Sequence, residues 1–288
     1  MTIVLGLTAA LAVAELVGGL IGDSLALLAD AGHMLSDVGS LTLALGALWL
    51  ARRPPTARMS FGFRRAEILA ALFNGVALVA IAIWIFIEAA QRLSDPPEIL
   101  TGTTLAIALA GLAVNVLGVV ILARSGGRSL NLRAAKLHVF ADLLGSVGVV
   151  VSTLIIIATG WLYADPLVSI LIGVLVLASS WRVLRESLGV LLEAAPEGID
   201  AEEVGRRMAA VEGVSEVHDL HIWTITSGFP ALSAHVLVPE GEDCHARRRE
   251  LSEMLRRDFG IAHTTLQVEH GDPHGAPVRV WLSGSDSA

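Results

Sequence analysis

Six runs of apolar residues, at about 2–20, 24–50, 66–90, 103–123, 134–160 and 164–185, dominate the 288-residue chain. A bilayer's hydrocarbon core is roughly 30 Å thick, and a helix rising about 1.5 Å per residue crosses it in about 20 apolar residues. In lipid every backbone N–H and C=O must be satisfied within its own segment, so runs of this length fold as helices. Six transmembrane helices are expected. The composition agrees, because 54% hydrophobic and 17% charged residues are too oily and too charge-poor for an ordinary soluble domain. The first run begins without a basic leader and leads directly into further spans, so no cleavable secretion signal is expected.

Charge orients the spans. Arg52, Arg53, Arg58, Arg64 and Arg65 fill one loop, Arg124, Arg128, Arg133 and Lys136 a second, and Arg182 and Arg185 follow the last span, whereas the alternate loops carry only Arg92. By the positive-inside rule both termini are expected to face the cytoplasm, and the expected location is the plasma (inner) membrane, crossed several times. Residues 1–195 hold 12 acidic and 12 basic side chains and residues 196–288 hold 16 and 8, so the net charge of −8 comes from the C-terminal third. An acidic tail is unsuited to nucleic acid and suited to cations. The lone cysteine, Cys244, allows no internal disulfide and no thiolate cluster.

The tail is a small α+β domain by pattern. "GIDAEEVGRRMAAVEGV" is an amphipathic helix with Asp200 at its N-cap, and "CHARRRELSEMLRRDFG" a second helix stopped by Gly260. "VSEVHDLHIWTIT" and "ALSAHVLVP" alternate as half-buried strands around the turn "SGFP", and "HTTLQVEH" is a third strand. The α-β-β-α-β order predicts a helix pair on an antiparallel sheet. The domain boundaries expected are 1–190 for the six-helix transmembrane domain, 196–275 for the cytoplasmic domain and 276–288 for a tail.

Ionisable groups at bilayer depth are costly and mark ion pathways. In "LLADAGHMLSD", His33 and Asp37 are four residues apart and share a helix face, and "KLHVFAD" repeats the device with His138 and Asp142. Two imidazoles and two carboxylates make a donor set for tetrahedral zinc. Depth agrees: Asp37 lies roughly 20 Å from the outer end of its span and Asp142 roughly 12 Å from the inner end of its own, nearly the same level in a core of roughly 30 Å. Asp30 shares the stripe one turn further out. It suits an acceptor orienting an imidazole, an exit-path carboxylate or a pairing partner, and the sequence does not choose. Asp165 before Pro166 reads as an N-cap of the sixth span. Asn74 and Asn115 read as interhelical hydrogen-bond donors, and Glu67 and Glu88 as interfacial.

The segments "SLALLADAGHMLSD", "FGFRRAEILAALFN", "NLRAAKLHVFADLLGSVGVV", "DPLVSILIGVLVL" and "GVSEVHDLHIWTIT" resemble, in order and over nearly the whole chain, those of the cation diffusion facilitator family, and the paired HxxxD motifs resemble its zinc-type branch. The resemblance implies a homodimeric exporter in the lipid bilayer that exchanges cytosolic Zn²⁺ for protons, with Cd²⁺ or Co²⁺ as further cargo. It also implies a cytoplasmic domain of ferredoxin-like fold that binds zinc through His218, His235, His263 and Glu269 and helps dimerise. Strand parity agrees for His235 and Glu269, which oppose apolar neighbours. His218 shares parity with Leu220, so it joins the site only at a strand start or through a bulge, and His221 is a rival ligand. His245, His270 and His274 read as surface histidines. In "ARMSFGFRR", Met59 and Phe63 stand where some relatives carry an accessory metal site, so that site is expected to be absent. "ARSGGRSLNLR" lacks the histidines that gather metal in other relatives, which leaves metal capture to the tail.

Other classes fit less well. A metalloenzyme needs an open metal position, whereas four protein ligands leave none and no HExxH occurs, so the chain is not read as an enzyme. A passive channel needs a continuous polar pore, and the spans offer one isolated site. A membrane-bound divalent metal sensor, or a manganese or iron exporter, remains the alternative; imidazole ligands favour zinc over the harder ions.

Overall fold

The computed structural model describes residues 2–124 and 130–271, with the side chains at 2–5, 7 and 121–139 outside that description. Arg128, His274 and the tail expected at 276–288, with the side chains of Arg124, Arg133, Lys136 and His138, therefore lie outside the described residues. The chain divides into two compact units, Met1–Gly46 with Ala70–Leu184 and Ala47–Leu69 with Arg185–Ala288.

The first unit is built from six helices: α1 (Thr2–Gly22), α2 (Leu25–Ala51), α3 (Ala66–Ser94), α4 (Thr101–Arg124), α5 (Leu130–Thr159) and α6 (Ala164–Leu191). α2, α3 and α6, with 101–120 of α4 and 140–159 of α5, are long and apolar enough to cross a membrane, and Thr8–Gly22 of α1 is a shorter apolar helix. Large side chains such as Phe73, Ile87, Leu171 and Trp181 face outward, as they do where the solvent is lipid. Inside, Ala26, Leu27 and Ala29 of α2 meet Leu78, Ala82 and Ile85 of α3, Ala108 of α4, Val149 and Val150 of α5, and Ile172 and Val176 of α6. α4 packs along both α1 and α5. Ser36 of α2 donates to Asn74 Oδ1 of α3 at 2.9 Å, so Asn74 bonds between helices as an acceptor and not as the donor expected.

Asp165 departs from the sequence reading. α6 begins at Ala164, so Asp165 sits inside its first turn and does not cap it. Its carboxylate caps α2 instead, accepting from the Ser24 hydroxyl at 2.6 Å, Leu25 N–H at 2.8 Å and Ala26 N–H at 3.3 Å. The first N–H groups of α2 are buried and have no intrahelical acceptor, and a carboxylate at a helix N-terminus satisfies both the hydrogen bonds and the dipole. Nearby, Arg92 donates to the Asp23 carbonyl and carboxylate and to Glu88, tying the α1–α2 turn to the end of α3.

In the second unit α7 (Ala201–Ala209), β1 (Glu216–Thr226), β2 (Phe229–Val238), α8 (Cys244–Phe259) and β3 (His263–His270) follow the expected order. Asp200 and Asp243 cap the two helices, and Gly260 ends α8 in the left-handed conformation. Val204 and Met208 of α7 and Leu251 and Leu255 of α8 pack on Leu220, Ile222, Leu232, Ala234, Val236 and Leu266 of the sheet. The sheet is mixed, a correction to the antiparallel expectation. β1 and β2 form an antiparallel hairpin, but β3 runs parallel to β2. The chain leaves β2 at one end and returns through α8, a helical crossover that delivers β3 in the same direction as β2. Glu67 accepts from the Thr226 and Ser227 hydroxyls at the β1–β2 turn.

Candidate metal centre

The helical unit gathers three of the four intramembrane residues singled out by spacing. His33, Asp37 and Asp142 each offer a ligand atom within 4.8 Å of the others, the one cluster of this kind among the described residues. His33 and Asp37 come together because i and i+4 stack on a helix face, with His33 Nε2 3.9 Å from Asp37 Oδ2. Asp142 arrives from α5, its Oδ1 3.2 Å from His33 Nε2. Two ligands about 2.1 Å from a tetrahedral ion stand roughly 3.4 Å apart, so the His33–Asp142 separation already suits a shared zinc shell. His138 lies one turn before Asp142 on α5, with its side chain outside the described residues.

A buried polar chain backs the cluster. Asn115 of α4 donates to the Asp142 carbonyl at 3.4 Å and to Ser146 Oγ at 2.8 Å, and Ser146 donates to Asp30 Oδ2 at 3.0 Å. Asp30 is 2% exposed, and a methyl on Gly145 would press into its carboxylate, so α2 and α5 approach closely here because residue 145 lacks a side chain. Asp30 thus joins α2 to α5 by accepting from a hydroxyl. Sequence reasoning overlooked Glu15 in α1, which is 1% exposed. The signal was present: it is the one charge in the first apolar run.

In the second unit a β-bulge between His218 and His221 resolves the parity conflict at His218. His218 pairs with His235 and His221 with Ser233, which puts both imidazoles on the face of β2 that carries His235. The His218 and His235 rings lie 5.3 Å apart by centroid, close to the roughly 5 Å expected of two imidazoles on one tetrahedral ion. The bulge also adds Asp219, absent from the sequence-level set, 3.0 Å from His221 Nε2 and 4.0 Å from His235 Nε2. The other two expected ligands stand further along the sheet. His263 is in register with Ala231 and Glu269 with Leu237, whereas His235 is in register with Gln267. His263 packs against Phe61 and Phe229. Away from this face, His270 approaches Cys244 Sγ at 3.5 Å and the Glu242 carbonyl at 2.9 Å.

Comparison with known proteins agrees with this two-part build. The cation efflux transmembrane domain family matches residues 1–192 and the cytoplasmic domain family of cation efflux proteins matches residues 196–271. The "Cadmium, cobalt and zinc/H(+)-K(+) antiporter" of Bacillus subtilis (strain 168) is 44% identical over 262 residues, covering 88% of this chain and 83% of its own. Zinc transporter ZitB of Escherichia coli (strain K12) is 45% identical over 272 residues, covering 94% and 87%. The metal cation efflux system protein CzcD of Cupriavidus metallidurans is 43% identical over 272 residues, covering 93% and 85%. A solved metal-bound C-terminal domain of a CzcD transporter shares 39% identity over 25% of this chain and 99% of its own, with a TM-score of 0.24. Matched from residue 1 to residue 271, this chain belongs to the cation efflux family, the cation diffusion facilitators, and is a multi-pass membrane protein.

Proposed function

We propose that the chain exports Zn²⁺ from the cytoplasm in exchange for protons, by alternating access to a site made of His33, Asp37, His138 and Asp142, with Cd²⁺ and Co²⁺ as further cargo. The observation that carries this reading is the approach of an α2 imidazole to an α5 carboxylate beside Asp37, inside an apolar bundle. The named relatives, zinc and cadmium, cobalt and zinc transporters, support it. A mixed imidazole and carboxylate shell favours these ions over manganese and iron. Metal ligands must be deprotonated, so binding expels protons and protonation expels metal.

The exchange is energetically apt. Moving one charge across 100 mV involves about 2.3 kcal/mol, so exporting a divalent cation from a negative interior costs about 4.6 kcal/mol per 100 mV. One proton travelling inward offsets half of this, and two make the cycle electroneutral. The arginine-rich loops favour cytoplasmic termini, which puts 1–190 in the membrane and 196–275 in the cytoplasm as a dimerising domain. There His218 and His235, with His263 and Glu269 further along the sheet, are the proposed zinc donors. No step of this cycle makes or breaks a covalent bond other than to a proton, so the protein acts as a transporter and not as an enzyme.

Zinc uptake into proteoliposomes under an imposed pH gradient tests the reading. Wild type accumulates zinc, and His33→Ala and Asp142→Asn lose accumulation and high-affinity zinc binding together. Unchanged accumulation in either variant refutes the site.

A further inference from the structure

The Glu15 carboxylate has no role in the reading above, yet it is among the most enclosed polar groups in the bundle. It is 1% exposed, and neither oxygen has a hydrogen-bond partner. Its own helix supplies no other charge, and α4, packed along α1, carries none between Thr101 and Val120. Asp30 of α2 is the charged neighbour that acts on it, and it is also an acid. An ionised carboxylate in such surroundings costs several kcal/mol unless something neutralises it. The neutralising species must be a cation from solution. A methyl on Gly111 would collide with Glu15 Oε1, so that oxygen lies against the α4 backbone, and among the described residues Glu15 belongs to no cluster of ligand groups that would make room for a metal's shell. A proton needs no such room.

A second observation ties Glu15 to the metal cluster. Asp30, its electrostatic neighbour, accepts from Ser146, which accepts from Asn115, which reaches the carbonyl of Asp142. Towards the outer end of the α1–α4 contact, Thr104 Oγ1 is also buried without a partner and lies where a side chain on Gly22 would begin. Polar groups thus line α1, α2, α4 and α5 from the cluster towards that end, with Glu15 between them.

We propose that Glu15 is a proton-binding site of the membrane domain, distinct from the metal ligands and linked to them through Asp30, Ser146 and Asn115. The proposal rests on the transport reading and deepens it. Glu15 takes a proton from water on one side of the membrane and returns it to water on the other. The O–H bond is the one bond formed and broken, and no electron moves.

The test uses the full chain reconstituted in lipid. Wild type is expected to show the infrared carbonyl stretch of a neutral, buried carboxylic acid, and Glu15→Gln to lack it. Glu15→Gln, which mimics the protonated state, is expected to bind zinc as wild type does and to exchange internal for external zinc, but to lose accumulation driven by a pH gradient. Glu15→Asp is expected to keep both the band and part of the accumulation. An unchanged band and unchanged pH-driven accumulation in Glu15→Gln overturns the proposal. So does loss of zinc binding in both Glu15 variants, which marks the residue as structural. A potassium gradient that drives zinc accumulation at fixed pH in wild type but not in Glu15→Gln overturns the proton in favour of that ion. If wild type accumulates no zinc while the band is present and vanishes in Glu15→Gln, the transport reading falls and the proton site stands.

Discussion

Asp165→Ala tests the contact that fixes α2, the helix carrying His33 and Asp37. The carboxylate accepts at 2.6 Å from Ser24, 2.8 Å from Leu25 and 3.3 Å from Ala26, all three residues being fully buried. Interhelical hydrogen bonds in membrane proteins contribute about 0.6 to 1.7 kcal/mol each, so the three together are worth about 2 to 5 kcal/mol. Stranding two or more buried donors at about 1 to 3 kcal/mol each gives the same range. For a helical unit of this size the melting midpoint in detergent should fall on the order of 10 °C, read by circular dichroism. Asp165→Asn keeps one acceptor oxygen and should lose roughly half as much. Ser24→Ala on top of Asp165→Ala should add only the loss of the bond that Ser24 Oγ accepts from Leu27 N–H, because the Ser24–Asp165 bond is already gone. His33 lies roughly 12 Å along α2 from the cap, so zinc affinity should weaken with stability. A midpoint for Asp165→Ala within about 2 °C of wild type refutes the argument.

Gly111→Ala drives a methyl into the Glu15 carboxylate, and overpacking of this kind costs about 1 to 3 kcal/mol; the melting midpoint should fall and be restored in part by adding Glu15→Ala. Leu255→Ala empties a fully buried position between α8 and the sheet and should destabilise the second unit by about 2 to 5 kcal/mol in urea unfolding. The Ala246 N–H, followed by the His245 N–H, holds the Asp243 carboxylate below its ordinary value of 3.8. Its stabilising effect is present above that value and is lost as pH falls through the lower folded one. Wild type should therefore lose more of the α8 signal between about pH 5 and pH 3 than Asp243→Asn, which caps without titrating. Ser146→Ala removes the hydroxyl that donates to the buried Asp30 carboxylate and accepts from Asn115, and stranding such groups costs about 1 to 3 kcal/mol, read as a fall in the melting midpoint.

What the sequence revealed were features whose physics is local. The pairing of His33 with Asp37 follows from helical stacking, and their meeting with Asp142 follows from counting depth along two opposed helices. Strand parity put His235 on the outer face, and the conflict at His218 left either a strand start or a bulge there, of which the structure has the bulge. What stayed hidden depends on partners distant in the chain. Asp165 followed by proline has the look of a local cap, yet its donors lie about 140 residues away. No propensity distinguishes parallel from antiparallel addition of β3; the direction is set by where α8 returns the chain. Glu15 was legible and overlooked, since one acid in an oily run carries the same message as the histidine-aspartate pairs.

The bulge in β1 has a consequence for what the sheet could lose. Without residue 219, Val217, His218, Leu220, His221 and Ile222 would alternate inward and outward without a break, and both histidines would keep their present face. The hairpin would be more regular, and it would shed a non-glycine residue held at φ 52, a conformation that costs about 1 to 2 kcal/mol. Folding alone therefore argues for a shorter strand. What the extra residue supplies is a carboxylate set between two imidazoles, so the local strain at Asp219 is the cost, in backbone conformation, of a charge that the sheet itself does not need.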